Sequence, residues 1–184
     1  MTSRKETLTW NCLIPGKNRL SNLIDKEGGC LCGDVRFKLT AEPMYVQACH
    51  CLDCQRISGS AFIINMWIEA KHVELTNKQP ISFMNLGGSG STHEIFCCEN
   101  CGTDLWSCYH SGLKGSWFVR AGLLDDPTDV VPQTHIYTRS KQKWISLPAE
   151  TPQFEEFYNI KEVWPEESLE RLKLLKAAEQ LGHQ

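Results

Sequence analysis

Between Cys32 and Thr40 the apolar residues Val35, Phe37 and Leu39 alternate with the charged Asp34, Arg36 and Lys38. That period of two predicts a strand with one buried face, and Pro43 soon breaks it. The stretch from Ala61 to Ile68 is almost unbroken in its apolar character, with Phe62, Ile63, Ile64, Met66 and Trp67, and predicts a strand buried on both faces. Shorter strands are expected at His72–Leu75, Ile81–Leu86, Thr92–Phe96, Trp117–Ala121 and Thr134–Thr138. Gly87-Gly88-Ser89-Gly90 lies between two of these as a hairpin turn, with no Lys-Ser/Thr after it to suggest a phosphate loop, and Leu124-Asp125-Asp126-Pro127 is a second turn. Helical spacing is sustained only at the end, where Leu169, Leu172, Leu175 and Leu181 follow Pro165 and the acidic pair Glu166-Glu167. Such a helix should pack its apolar side on its own domain or at a subunit contact, since Glu and Lys mix on its polar side. Before Gly28-Gly29 only Leu20, Leu23 and Ile24 stand out. The expected organisation is an extension over 1–27 packed on the domain, a mainly β domain over 28–157 and a helical addition over 158–184.

Composition narrows the classes. A chain of 184 residues, 41% hydrophobic, is long enough for one domain with a real core and short for two. Its net charge of −3, with both signs interspersed, offers no basic face for nucleic acid. The polar start, with Arg4, Lys5 and Glu6, lacks an apolar signal core, and no stretch approaches the roughly 18 apolar residues of a membrane span. A cytoplasmic protein is the expectation.

Ten cysteines change the picture most. Cys49, Cys51 and Cys54 fall within six residues, too crowded for relaxed disulfides among themselves, and close C-x-C and C-x-x-C spacing in a reducing compartment favours metal over disulfides. Cys30-Leu31-Cys32 and Cys98-Glu99-Asn100-Cys101 supply four more sulfurs, each pair followed by a glycine, Gly33 or Gly102, that allows a tight knuckle. Cys98 rather than Cys97 is chosen because it alone gives the x-x spacing to Cys101. Cys97, Cys12 and Cys108 are read as unliganded thiols. Two zinc ions are thus expected, one closed by Cys30, Cys32, Cys98 and Cys101, the other held by Cys49, Cys51 and Cys54 with its fourth position open. A tris-thiolate zinc acidifies water less than a three-histidine zinc, which points towards sulfur or carbonyl chemistry rather than hydrolysis. Closure of the second site by His50 or another cysteine would instead leave two structural zincs. Lying between two ligands, His50 reads better as a hydrogen-bond donor behind the metal.

The motifs Gly28–Gly33, Cys49–Ser60 and Phe96–Thr103, followed by Gly122–Pro127, His135-Ile136-Tyr137, Trp144, Pro152 and Phe154, resemble the glutathione-dependent formaldehyde-activating enzyme family, which also contains centromere protein V. The resemblance covers roughly Gly28 to Phe157. It implies a β-tent fold of several small coiled antiparallel sheets around a structural zinc, and a labile catalytic zinc at Cys49, Cys51 and Cys54. It also implies carbon–sulfur lyase chemistry on an adduct of glutathione and formaldehyde, or on a related small thiol or carbonyl compound. His50, Arg56, Ser58 and His135 are the candidate polar groups around the open zinc. Gln55 stands where the family often has a basic residue. Alternatives are a diverged member performing dehydration, isomerisation or decarboxylation, or a zinc-stabilised protein-interaction module without catalysis. The chain lacks the long basic segment that a nucleic-acid role would want. Nothing in the pattern decides between monomer and homodimer.

Overall fold

The computed structural model describes residues 23–88, 90–110 and 115–181. Their strands are β1 (Glu27–Gly29), β2 (Arg36–Leu39), β3 (Tyr45–Cys49), β4 (Ile63–Glu69), β5 (Val73–Leu75), β6 (Ile81–Leu86), β7 (Thr92–Cys97), β8 (Asp104–Tyr109), β9 (Ser116–Arg120) and β10 (Thr134–Ile136). The helices are α1 (Leu52–Ser58), α2 (Ile160–Val163) and α3 (Glu166–Leu181). The chain is mainly β with a C-terminal helix, built on two sheets: β1-β2-β5, and the larger β10-β3-β4-β9-β8-β7-β6. Every named pairing is antiparallel except that of β10 with β3. Leu20, Cys12, Ser89 and His183 lie outside the described residues, as does most of the expected N-terminal extension; Leu23, at the edge of it, is buried in the core.

The alternation read in the sequence is realised in β2, where Phe37 and Leu39 are wholly buried and Arg36 and Lys38 are not. These residues meet Val46, Met66, Ile68, Trp106 and Val119 in a core shared by the two sheets. Trp106 stacks on Trp117 at 4.9 Å between ring centres and receives the Phe37 ring edge-on at 5.8 Å. The 3-10 turn Ala121–Leu123 that follows β9 comes so close to β1 that a side chain on Gly28 would meet the Leu123 carbonyl oxygen at 2.5 Å. Four elements beside the cysteines were not legible as such: β1, β3, β8 and α1. In β3 all five residues are buried, which erases the alternation that marks a half-exposed strand.

A second core lies under the C-terminal segment. Trp164 stacks on Tyr45 at 5.0 Å, packs edge-on against Trp67 at 4.8 Å, and donates its indole N–H to the Tyr158 hydroxyl, which in turn donates to Gln47. Helix α3 does pack on its own domain, though chiefly through polar anchors: only Ser168 and Leu172 are buried, and Leu174 and Leu181 remain exposed. Ser168 donates to the Met44 carbonyl, and Arg171 reaches Glu69 with Nε–Oε1 2.9 Å and Nη2–Oε2 2.5 Å while also donating to the Glu42 carbonyl. Glu69 is buried, and its carboxyl is held below the ordinary range by Arg171, against the opposing effect of burial. Arg171→Met should therefore cost about 3 kcal/mol in denaturant titration, because it strands a buried carboxylate rather than removing a surface pair. A cost under about 0.5 kcal/mol would show that α3 is held by its apolar contacts alone.

Candidate functional site

Two knuckles build the first cluster. In one, Cys30 and Cys32 sit at the β1–β2 turn, which Gly33 closes at φ 82° with its N–H on the Cys30 carbonyl. In the other, Cys98 and Cys101 follow β7, and Gly102 closes the turn at φ 69° with its N–H on the Cys98 carbonyl. The four sulfurs lie within 4.8 Å of one another, with Cys30 to Cys32 at 3.5 Å and Cys32 to Cys98 at 3.7 Å. Zinc–sulfur bonds of about 2.3 Å in a tetrahedron require sulfur separations of about 3.8 Å, so this donor set fits zinc with little movement. Hydrogen bonds favour thiolates at two of these sulfurs, Cys30 and Cys101. Val35 N–H donates to Cys30 Sγ at 3.2 Å, and hydrogen bonds from Thr103 draw Cys101 down to about 5.

The second cluster is assembled where β3 runs into α1. Cys49 ends the strand, Cys51 is the N-cap residue of the helix, and Cys54 stands in its first turn, buried. The Cys54 N–H donates to Cys51 Sγ at 3.3 Å, so one sulfur serves as both cap and prospective ligand. All three sulfurs fall within 4.8 Å. Hydrogen bonds from Cys49 and then Cys54 bring Cys51 down to about 2, whereas the same pairings and burial push Cys49 up. Cys51 is also the least buried of the three. Three thiols with no fourth described donor are the pattern of a site open to an exogenous ligand.

A cavity of 740 Å³ joins this cluster to solvent. Cys49, Cys51 and Cys54 line it; the four cysteines of the first cluster are not among its described lining residues. Trp67, Phe118 and Tyr109 give it aromatic walls, Trp67 and Phe118 with centroids 4.6 Å apart. Beneath them Arg120 is buried and fully engaged, reaching Asp104 (Nε–Oδ2 2.9 Å), Asn65 (2.6 Å) and Ser107 (3.0 Å). Two ion pairs contribute to the lining, Arg56 with Asp53 at 3.5 Å and Arg139 with Glu156.

The residues expected around the metal are dispersed differently. Arg56 is on the cavity wall and exposed. His50 and His135 are brought together instead, Nε2 to Nδ1 at 3.0 Å, both buried and neither among the described lining residues. Burial, then His135 and Lys141, pushes His50 down to about 4. Ser58 donates to the Cys54 carbonyl at 2.8 Å, bracing the helix that carries Cys54. Gln55 ties the same helix down by donating to the carbonyls of His50 (2.8 Å) and Ser140 (2.9 Å).

Sequence reasoning missed His93. It is 4% exposed, lines the cavity, stacks on Tyr109 at 4.2 Å with the rings 2° from parallel, and leaves Nε2 without a hydrogen-bond partner. The available signal was its place on the same period-two face of β7 as Ile95 and Cys97. Burial, then Arg120, pushes its imidazole down to about 4. An unfolded histidine takes up a proton near 6.5, so the unfolded chain binds more protons than the folded one between these values. Stability should therefore fall on acidification through that window, by up to about 1.4 kcal/mol per pH unit. His93→Phe, which keeps the stack, should show a shallower loss of urea midpoint between pH 6.5 and 4.5 than the wild type; equal slopes would contradict this.

The glutathione-dependent formaldehyde-activating enzyme family matches residues 25–140. A Schizosaccharomyces pombe protein described as an uncharacterized lyase is 33% identical over 100 residues, a match covering 53% of this chain and 66% of the relative, just under two thirds of its length. A solved Rhodobacter sphaeroides protein is 19% identical and superposes with a TM-score of 0.43 over 58% of this chain and 97% of its own. With the matched residues spanning both cysteine clusters and the strands that carry them, the chain belongs to the glutathione-dependent formaldehyde-activating enzyme family.

Proposed function

We propose that this chain is a carbon–sulfur lyase-type zinc enzyme acting on a small thiol–carbonyl adduct of the S-hydroxymethylglutathione kind. One observation carries the reading: the three-thiol cluster opens into a cavity of 740 Å³, within the roughly 300–1,000 Å³ typical of small-ligand sites, while the four-thiol cluster does not line it. Zinc held by the three thiolates would supply a Lewis-acidic position suited to a soft thiol or a carbonyl oxygen. Cys49, Cys51 and Cys54, all on the cavity wall, would hold it. Trp67, Phe118 and Tyr109 pack on the substrate and exclude water, which strengthens polar contacts inside. The neutral imidazole of His93 offers a hydrogen bond to a substrate hydroxyl or carbonyl oxygen, and Arg56 an anchor for a carboxylate. His50 and His135 support the cluster from behind, and Ser58 braces its helix. The nine described cysteines are all free of disulfides, so each thiol of the two clusters is available to a metal.

The test is exchange of label between free formaldehyde and its glutathione adduct, followed by NMR at increasing protein concentration. Acceleration by the wild type and none by Cys51→Ser would support the reading. No acceleration by either would move the substrate to another small carbonyl compound, with dehydration, isomerisation and decarboxylation assays next. A second reading, a zinc-stabilised interaction module, is favoured by one feature: edge strand β6 exposes all six residues, among them Ile81, Phe83, Met84 and Leu86. It would be supported by a binding partner retained by Cys51→Ser and lost on Phe83→Lys.

A further inference from the structure

On β7, on β8 and just past its end, a third group of side chains converges outside both thiol clusters. Glu94 and Cys108 are direct cross-strand partners, and His110 follows Cys108 by two residues, so period two sets all three on one side of the sheet. Their ligand atoms lie within 4.8 Å of one another: Glu94 Oε2 is 2.7 Å from His110 Nε2 and 3.8 Å from Cys108 Sγ. The cavity residues His93 and Tyr109 alternate with them on β7 and β8, and none of the three lines the cavity. The sequence alone gave Cys108 no partner; the fold gives it two.

We propose that Glu94, Cys108 and His110 form a further binding site for a borderline divalent cation, zinc foremost. The donor set of one thiolate, one imidazole and one carboxylate is the mixed set that such ions accept, and it differs in kind from the all-sulfur clusters. The carboxylate is prepared for this role, because Ser82 donates to its other oxygen at 2.7 Å and turns Oε2 towards the thiol and the imidazole. Cys108 is buried and His110 and Glu94 are partly exposed, so the ion would be held from the sheet side and complete its shell with water. A single thiolate makes this site weaker than a four-thiolate one, and it should exchange its ion readily.

Metal binding tests the assignment directly. Untagged protein is saturated with zinc, freed of excess by gel filtration in zinc-buffered solution, and its zinc content per chain compared with that of His110→Ala and Glu94→Gln. Whatever the occupancy of the two thiol clusters, each variant should hold one zinc equivalent fewer than the wild type while keeping the wild-type circular dichroism. Ser82→Ala, which spares all three ligands, should retain the site with about tenfold weaker affinity. Equal zinc content in wild type and folded variants overturns the proposal, as does unchanged affinity in Ser82→Ala. Neither result bears on the activity of the cavity, which the formaldehyde exchange assay reads separately.

Discussion

Cys98→Ser is expected to leave the chain unfolded at 25 °C, as read by circular dichroism and by loss of the cooperative melt. The four-thiol cluster fastens the β1–β2 turn of the small sheet to the end of β7 in the large one, across 66 residues of sequence, and Cys98 is 2% exposed at its centre. Structural zinc contributes on the order of 10–16 kcal/mol in small domains, comparable to or above the whole 5–15 kcal/mol stability of a typical fold. Removing one thiolate also leaves three others crowded without a cation to neutralise them. Cys97→Ala is the matched control. Cys97 is buried beside Cys98 but is no part of the cluster, so the substitution should cost only about 1 kcal/mol. Unfolding by Cys97→Ala with Cys98→Ser intact would shift the ligand set by one residue.

Cys51→Ser should behave in the opposite way, folding within about 1 kcal/mol of the wild type yet losing activity by roughly a thousandfold or more. Serine is itself a good helix N-cap, so its hydroxyl can accept the Cys54 N–H that Cys51 Sγ now takes. What it cannot replace is the thiolate, on the least buried of the three cysteines that line the cavity. Loss of activity without loss of fold would separate the reactive cluster from the structural one. Full activity in Cys51→Ser would remove the three-thiol cluster from the chemistry altogether.

The grouping of the cysteines into two clusters was largely legible in the sequence because metal knuckles are local: closely spaced cysteines at a strand end specify them without reference to the rest of the fold. Strand β6 and the hairpin to β7 were legible for a similar reason, a glycine turn between two short β-prone runs. What could not be read was how distant strands meet. His50 and His135, 85 residues apart, look like separate polar groups near a metal until the parallel pairing of β10 with β3 brings their rings together. Arg120, Asp104 and Asn65 gave no local sign of a joint network, since each is an ordinary polar residue on a different strand. The helix α1 escaped notice because its seven residues are fixed by Gln55, Ser58 and the cysteines rather than by apolar periodicity.

On the proposed reading, the cluster of Cys49, Cys51 and Cys54 holds a metal with a position open to a substrate thiol from the cavity. The most direct measurement is titration of glutathione onto cobalt-loaded protein, watching the thiolate-to-metal charge-transfer absorption. This absorption should strengthen saturably as a further thiolate joins the metal, and the change should be absent in Cys51→Ser. An unchanged spectrum in the wild type, with cobalt bound to the cluster, would mean a closed site with no place for a substrate thiol.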